Sequence, residues 1–301
     1  SAASDVYKRQ VQSRANYRTA DSIARLQDNL RFALDTLEPD IRLARFWGLN
    51  NQPGRVRLPA GLQVSCTGAG VVAATDLAFG NLVSGVEARD DVYNLPCTGT
   101  QPRGGSDVLI LRHASARTTV PGVGQVQVES NPSGATLFDG DVAPGLDAPS
   151  EIRDVVFNAY YVGQSGFDPQ LPALRRLTLV DGGAAGQLQD QEVIPGVENL
   201  QVQFGLDSDD DMVVDRYVDS DNPLANPAAG MRVLAVRLWL MVRGENNEAG
   251  LGFTDNAVYL PPDADLAPIQ PGVTPGFPAE FRRLAASKTI FLRNAMDLPP
   301  P

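Results

Sequence analysis

The chain reads as an α+β protein in which one long N-terminal helix is packed on an antiparallel β-sheet with loop-rich insertions. Three observations predict this. Apolar residues recur at helical spacing from Ile23 to Ala44. Strand-like runs dominate everything after Trp47. Glycine (28) and proline (23) are frequent enough to supply the turns between those runs.

The helix occupies Tyr17 to Trp47, YRTADSIARLQDNLRFALDTLEPDIRLARFW. Ile23, Leu26, Leu30, Ala33, Leu34, Leu37, Ile41 and Ala44 share one face, and Leu26, Leu30, Ala33, Leu34, Leu37 and Ile41 are its expected packing residues. Arg25, Asp28, Asp35, Glu38, Arg42 and Arg45 take the other face. In Asp21–Arg25 and Glu38–Arg42 the acid precedes the base by four, the better orientation for a helical pair. A single apolar stripe must be covered by something else, and the strands downstream are what is available. Pro39 removes a backbone donor, so a kink is expected near residues 35–39. Tyr7 to Ala20 are more polar, as a stem leaving a globular head would be.

Residues 48–105 are loop-rich, with NNQPGR, SCTGAG and QPRGGS between short apolar runs. Cys66 and Cys97 lie there, without metal-type spacing. They read as one disulfide, with two buried thiols as the alternative. A disulfide implies an oxidising compartment and therefore export. GSDVLILRHA is a central strand, apolar on both faces. Residues 115–150 suit hairpins. VVFNAYYVG and LRRLTLVD are two strands joined by a loop. In GVENLQVQFGLD, Leu200, Val202, Phe204 and Leu206 face one way, opposite Asn199, Gln201 and Gln203. In MRVLAVRLWLMVRG, Leu234, Val236, Leu238, Leu240 and Val242 make an unbroken face, the natural partner of the helix stripe. FTDNAVYL is an expected edge strand and KTIFLRN the last strand, with a Pro-rich loop over 261–280 and a disordered tail over 296–301.

The net charge of −11 over 301 residues argues against a nucleic-acid partner. No apolar run reaches the ~18 residues needed to span a bilayer. Asp207, Asp209, Asp211 and Asp215 fall at the first, third, fifth and ninth positions of a calcium loop, and hard oxygen ligands favour calcium. Met212 and Val218 stand where that loop wants Gly and Glu, so a solvated acidic hairpin is the competing reading. His113, the single histidine, suits surface or core better than catalysis, and nothing around the serines resembles a nucleophile elbow. The Gly-rich GGSD and GGAAG lack the strand–helix context of a phosphate loop. The chain is read as no enzyme. Arg237, Arg243 and Arg293 interrupt apolar strands, for local ion pairs or for pairs with neighbouring subunits. Trp47 and Trp239 are expected in the core.

Six stretches in this order resemble the PilW family of type IV pilus minor pilins: ARLQDNLRFALDTLEPDIRLARFWG, GSDVLILR, AYYVG with LPALRRLTL, VIPGVENLQVQFGLDSDDDMVVDRYVD, VLAVRLWLMVRGE and ASKTIFLRNA. The resemblance implies a pilin-like fold, with residues 1–12 a non-pilin-like or truncated N-terminus, 13–47 a helical stem and 48–295 a β-rich head. It implies a role in pilus assembly or priming, or at the pilus tip, by subunit packing. Implied partners are other minor pilins, the major pilin and a tip adhesin. A hydrophobic half-helix, absent from this sequence, would anchor the protein in the inner membrane of a Gram-negative bacterium, facing the periplasm, before it enters the fibre. A type II secretion pseudopilin is the alternative within the class. A secreted calcium-dependent adhesin or carbohydrate-binding module is the alternative outside it.

Overall fold

The computed structural model describes residues 2–50, 52–66, 70–73, 85–225 and 231–295. The expected disordered tail, 296–301, lies outside them. The helix, α1, spans Ala2–Leu43 and runs through Pro39 as one element. Asp35, whose carbonyl loses its helical donor to Pro39, is on the exposed side, where water can serve it. Both expected helical pairs form, Arg25–Asp21 at 3.0 Å and Arg42–Glu38 at 2.5 Å. The helix stops where Arg45 takes a left-handed φ of 69°. The Asn294 amide reaches the carbonyls of Arg42, Leu43 and Ala44 at 3.4–3.5 Å, near the limit for hydrogen bonds.

Fourteen strands follow among the described residues. They are β1 (Val56–Arg57), β2 (Gln63–Cys66), β3 (Gly70–Ala73), β4 (Val86–Arg89), β5 (Val108–Thr118), β6 (Gly122–Asn131) and β7 (Gly134–Gly140). Then come β8 (Glu151–Gln164), β9 (Pro172–Val180), β10 (Gly186–Pro195), β11 (Val197–Asp207), β12 (Arg216–Asp219), β13 (Arg232–Arg243) and β14 (Arg283–Phe291). The hairpin expected within 115–150 is β6–β7. FTDNAVYL, expected as an edge strand, makes only an isolated bridge between Tyr259 and Ile269. Pro261 and Pro262 follow it at once and cannot donate to a ladder.

The strands form two sheets where one was expected. The small sheet is antiparallel throughout, in the order β12-β11-β13-β14. The large sheet runs β1-β7-β6-β8-β9-β10-β2-β3, with β5 on β8 and β4 on β5. It departs from the antiparallel expectation at two places, β1 with β7 and β2 with β10, which pair parallel. Both intruders come from the loop-rich region, whose long connections permit parallel entry.

Helix and sheets share one core. Leu26, Leu30, Ala33, Leu37 and Ile41 are buried, with Leu34 half-buried, against Leu238, Leu240 and Val242 of β13, Ile290 of β14 and Leu109 and Leu111 of β5. The helix lies along β14 first and β13 second. β5 is central as expected, because Val108 and Ile110 point into a second core, with Trp47, Phe157 and Tyr161, on the far face of the large sheet. Trp239 and Met241, on the far face of the small sheet, are covered by Ile269 and Phe277 of the Pro-rich loop. Cys66 and Cys97 form a disulfide, Cα to Cα 5.5 Å, which ties β2 to the loop after β4.

Leu37 is fully buried in the helix seam, whereas Phe32 is half exposed on the same helix. Leu37→Ala is expected to cost about 2–5 kcal/mol and Phe32→Ala less than about 0.5 kcal/mol, read as midpoint shifts in urea unfolding. Reducing the disulfide is expected to cost about 2–4 kcal/mol in the same measurement.

Candidate assembly surface

The helix divides near Leu26. Before it, Tyr17, Arg18, Ala20, Asp21, Ile23, Ala24 and Arg25 are exposed, and Ser22 and Thr19 half-buried. After it, every third or fourth residue to Ala44 is buried. Ile23, placed on the stripe by its spacing, is 41% exposed. The sheets end before reaching it, so the seam begins one turn later than periodicity suggests. Among the described residues, Tyr17, Ile23 and Phe32 are the large apolar residues that α1 leaves in water. A groove of about 520 Å³ separates this part of the helix from the loop after β13, lined by Arg18, Ser22, Leu26, Asn29, Gly244 and Leu251 among others.

Polar contacts pin the helix to the head on both sides of Leu26. The Ser22 hydroxyl donates to Glu248 at 2.7 Å, and Glu248 also receives Arg282 at 2.6 Å. Lys288 of β14 meets Glu38 at 2.5 Å and Asp35 at 3.4 Å. Deeper, Asp40 turns toward the large sheet and accepts from the Asn158 amide at 2.5 Å and the Tyr160 hydroxyl at 2.6 Å. His113 Nε2 lies 3.6 Å from its other oxygen, and His113 itself is buried. Burial alone would raise the Asp40 carboxyl; His113, Tyr160 and Asn158 outweigh it and hold the group below its ordinary value. Nothing in the spacing of these four residues foretells their meeting.

The buried arginines are internal. Glu198 of β11 is fully buried and receives Arg283 at 2.6 Å, with Arg243 at 3.9 Å and Arg103 at 4.0 Å around it. Arg243 thus pairs locally. Arg237 stacks on Tyr217 at 3.4 Å and bonds Gln203 at 3.4 Å, a carboxamide and a ring in place of the expected acid. Arg293 is exposed.

Carboxylates gather at two places. In the β11–β12 loop, Asp207, Asp209 and Asp211 can each offer an oxygen within 4.8 Å of the others. Asp215 is not of that group; it accepts from the Ser208 amide at 2.7 Å and from its hydroxyl. The buried Asp207 carboxylate already accepts three backbone N–H groups, from Asp209, Asp210 and Met212. The Asp211 charge raises the exposed Asp209 carboxyl. The second group, Asp90, Asp91 and Asp263, comes from two distant loops, and the sequence offers no spacing by which to find it. Burial, with the charges of Asp263 and Asp90, pushes Asp91 up to about 6. Asp107 behind it is pushed up to about 8 by burial, against the backbone N–H groups of Asp91 and Val202 that pull it down.

A helix whose first part stands clear of a β-rich head on which its second part is packed defines an α+β protein of the helix-on-sheet kind. Residues 159–294, from the end of β8 through β14, match the family model of PilW, Type IV Pilus-assembly protein W. The match starts at the AYYVG stretch and takes in the whole small sheet. No curated protein matches. Among solved structures, a type IV-like pilin from Thermus thermophilus aligns over 90% of this chain and 98% of its own, at 14% identity and a TM-score of 0.38, a likeness too loose to carry an argument.

Acid should loosen the contact between helix and large sheet. The Asp40 carboxyl is lower in the folded chain than its unfolded value of about 3.9, so its stabilising contribution is full above that value and lost as pH falls through the folded one. Urea unfolding from pH 6 down to pH 2.5 is expected to show this loss, and Asp40→Asn to flatten it while lowering stability at pH 6.

Proposed function

We propose that this chain is a minor pilin, acting in type IV pilus assembly or priming or at the pilus tip. It works by packing and not by turnover. The observation that carries the reading is the division of α1: one half is sealed onto the head, and residues 16–25 stand largely in water with Tyr17 and Ile23 exposed. A rod held rigidly at one end and bare at the other is suited to bundling with sister helices. The PilW match over 159–294 supports the same reading from the head. Its partners would be other minor pilins, the major pilin and a tip adhesin, contacted by the rod and by the loops of the head. The disulfide fits an exported protein that folds in an oxidising space. Membrane anchorage would belong to a hydrophobic half-helix; no described helix is long and apolar enough to cross a bilayer.

In the bacterium that carries the gene, deletion is expected to abolish or sharply reduce sheared surface pili, and complementation to restore them. Ile23→Glu with Phe32→Glu, on positions that leave the head's core untouched, should weaken packing between helices by ~2 kcal/mol or more and fail to complement. The purified variant should melt with the parent. Normal piliation in the deletion strain would remove the pilin reading. Calcium-dependent binding of the purified chain to glycans, abolished by substitution in the Asp207–Asp211 loop, would put the adhesin in its place.

A further inference from the structure

We propose that Asp90, Asp91 and Asp263 form a calcium site that clamps the loop after β4 to the loop at 262–265, on the edge of the small sheet. One oxygen from each of the three lies within 4.8 Å of the others. That is the span available to ligands around a single ion with bonds of about 2.4 Å. Asp91 Oδ1 and Asp263 Oδ2 are buried and have no hydrogen-bond partner. Buried carboxylate oxygens without a donor are costly, and a cation is the partner that serves two at once.

A neutral group borders the cluster. Gln201 of β11 is 1% exposed, its carboxamide lies against the Asp91 carboxylate, and its own oxygen is buried without a partner. Its nitrogen is already committed to Gly105 O at 3.2 Å and Asn199 Oδ1 at 2.9 Å. Its oxygen is left without a donor beside the cluster, while its amide side lowers the Asp91 carboxyl. Asp107, behind the group, accepts the backbone N–H groups of Asp91 and Val202 at 3.0 and 2.8 Å. Asp90 takes the Ser220 hydroxyl at 2.8 Å, so the turn after β12 is drawn into the same cluster. Asp219, Asp221 and Asp265 add their charge from the rim, and none of these carboxylates has an ion pair among the described residues.

The donor set selects the ion. Every nearby donor is a hard oxygen, with no imidazole or thiolate, which disfavours zinc and copper. The carboxylates sit on loops and not on a rigid octahedral frame, which suits calcium over magnesium. This cluster differs from the loop of Asp207, Asp209 and Asp211, whose buried member already has three backbone donors.

The test is calorimetric titration of the purified, chelator-stripped chain with calcium chloride at pH 7.5, with melting followed in parallel. The expected dissociation constant is about 0.1–1 mM, the range of extracellular modules, with a rise in Tm of about 3–6 °C at tenfold excess over it. Asp91→Asn and Asp263→Asn, made separately, should each weaken binding at least ~10-fold and raise Tm in the absence of calcium, because each removes like-charge repulsion. The second effect is one that a merely damaged loop would not produce. Asp209→Asn with Asp211→Asn should leave binding unchanged. No binding at 10 mM calcium (about ten times the weakest expected constant) would overturn the proposal. So would binding that survives both Asp91→Asn and Asp263→Asn, or binding lost only with Asp209 and Asp211.

Discussion

The apolar seam of α1 from Leu26 to Ala44 is the constraint on which the rest of the structure depends. A helix cannot bury its own stripe, and this one is too long for a single strand pair to cover. Two surfaces share the task. β13 and β14 take one flank, and the face of the large sheet that carries Leu109, Leu111 and Tyr160 takes the other. The helix thereby packs on both sheets, which also touch directly where Ser106 and Asp107, just before β5, bond to Leu200 and Val202 of β11. Its C-terminal turns go deepest, and there Asp40 is met by two donors from the large sheet, Asn158 and Tyr160, with His113 Nε2 3.6 Å from its other oxygen.

The same geometry explains why the helix is bare before Leu26. Covering ends where β13 and β14 end, near Arg243 and Arg283, and beyond that the Ser22–Glu248 bond is the one side-chain hydrogen bond from rod to head among the described residues. Rigidity at one end and exposure at the other are one consequence of helix length exceeding sheet width. A 42-residue helix is ~63 Å long, well over what the sheets can span.

Charge is managed in two opposite ways. Near β11 and β14 the acids are matched: Glu198 sits fully buried among Arg283, Arg243 and Arg103, and Asp255 completes the group at 3.2 Å from Arg283. Breaking such a set would leave a buried charge bare, so its members hold the far face of the small sheet to the Pro-rich loop. On the edge near β12 the acids are gathered with one another instead. The net charge of −11 is thus unevenly spread, with a concentration where the loop after β4, the turn after β12 and the 262–265 loop converge.

Local periodicity made the helix, β5, β8, β9, β11 and β13 legible in the sequence, since each carries its burial pattern within about ten residues; β6–β7 was foreseen only as a hairpin somewhere in 115–150, and β14 begins at Arg283, ahead of the expected KTIFLRN. β10 was not legible: GQLQDQEVIP buries little beyond Leu188 and shows no alternation, and it is a strand because β9 and β2 flank it. β12 is four residues inside an acidic loop and exists only through β11. The polar face of β11 was visible as a pattern, but not that Asn199 and Gln201 would be buried under Gly105. By itself the sequence determined that a one-sided helix must lie on strands, and that strand β13 would offer it Leu234 to Val242. The tertiary structure alone decided that the strands part into two sheets, that Asp40 meets His113, and that Asp91 meets Asp263. These are contacts between segments far apart in the chain, set by how layers stack, and no local spacing encodes them.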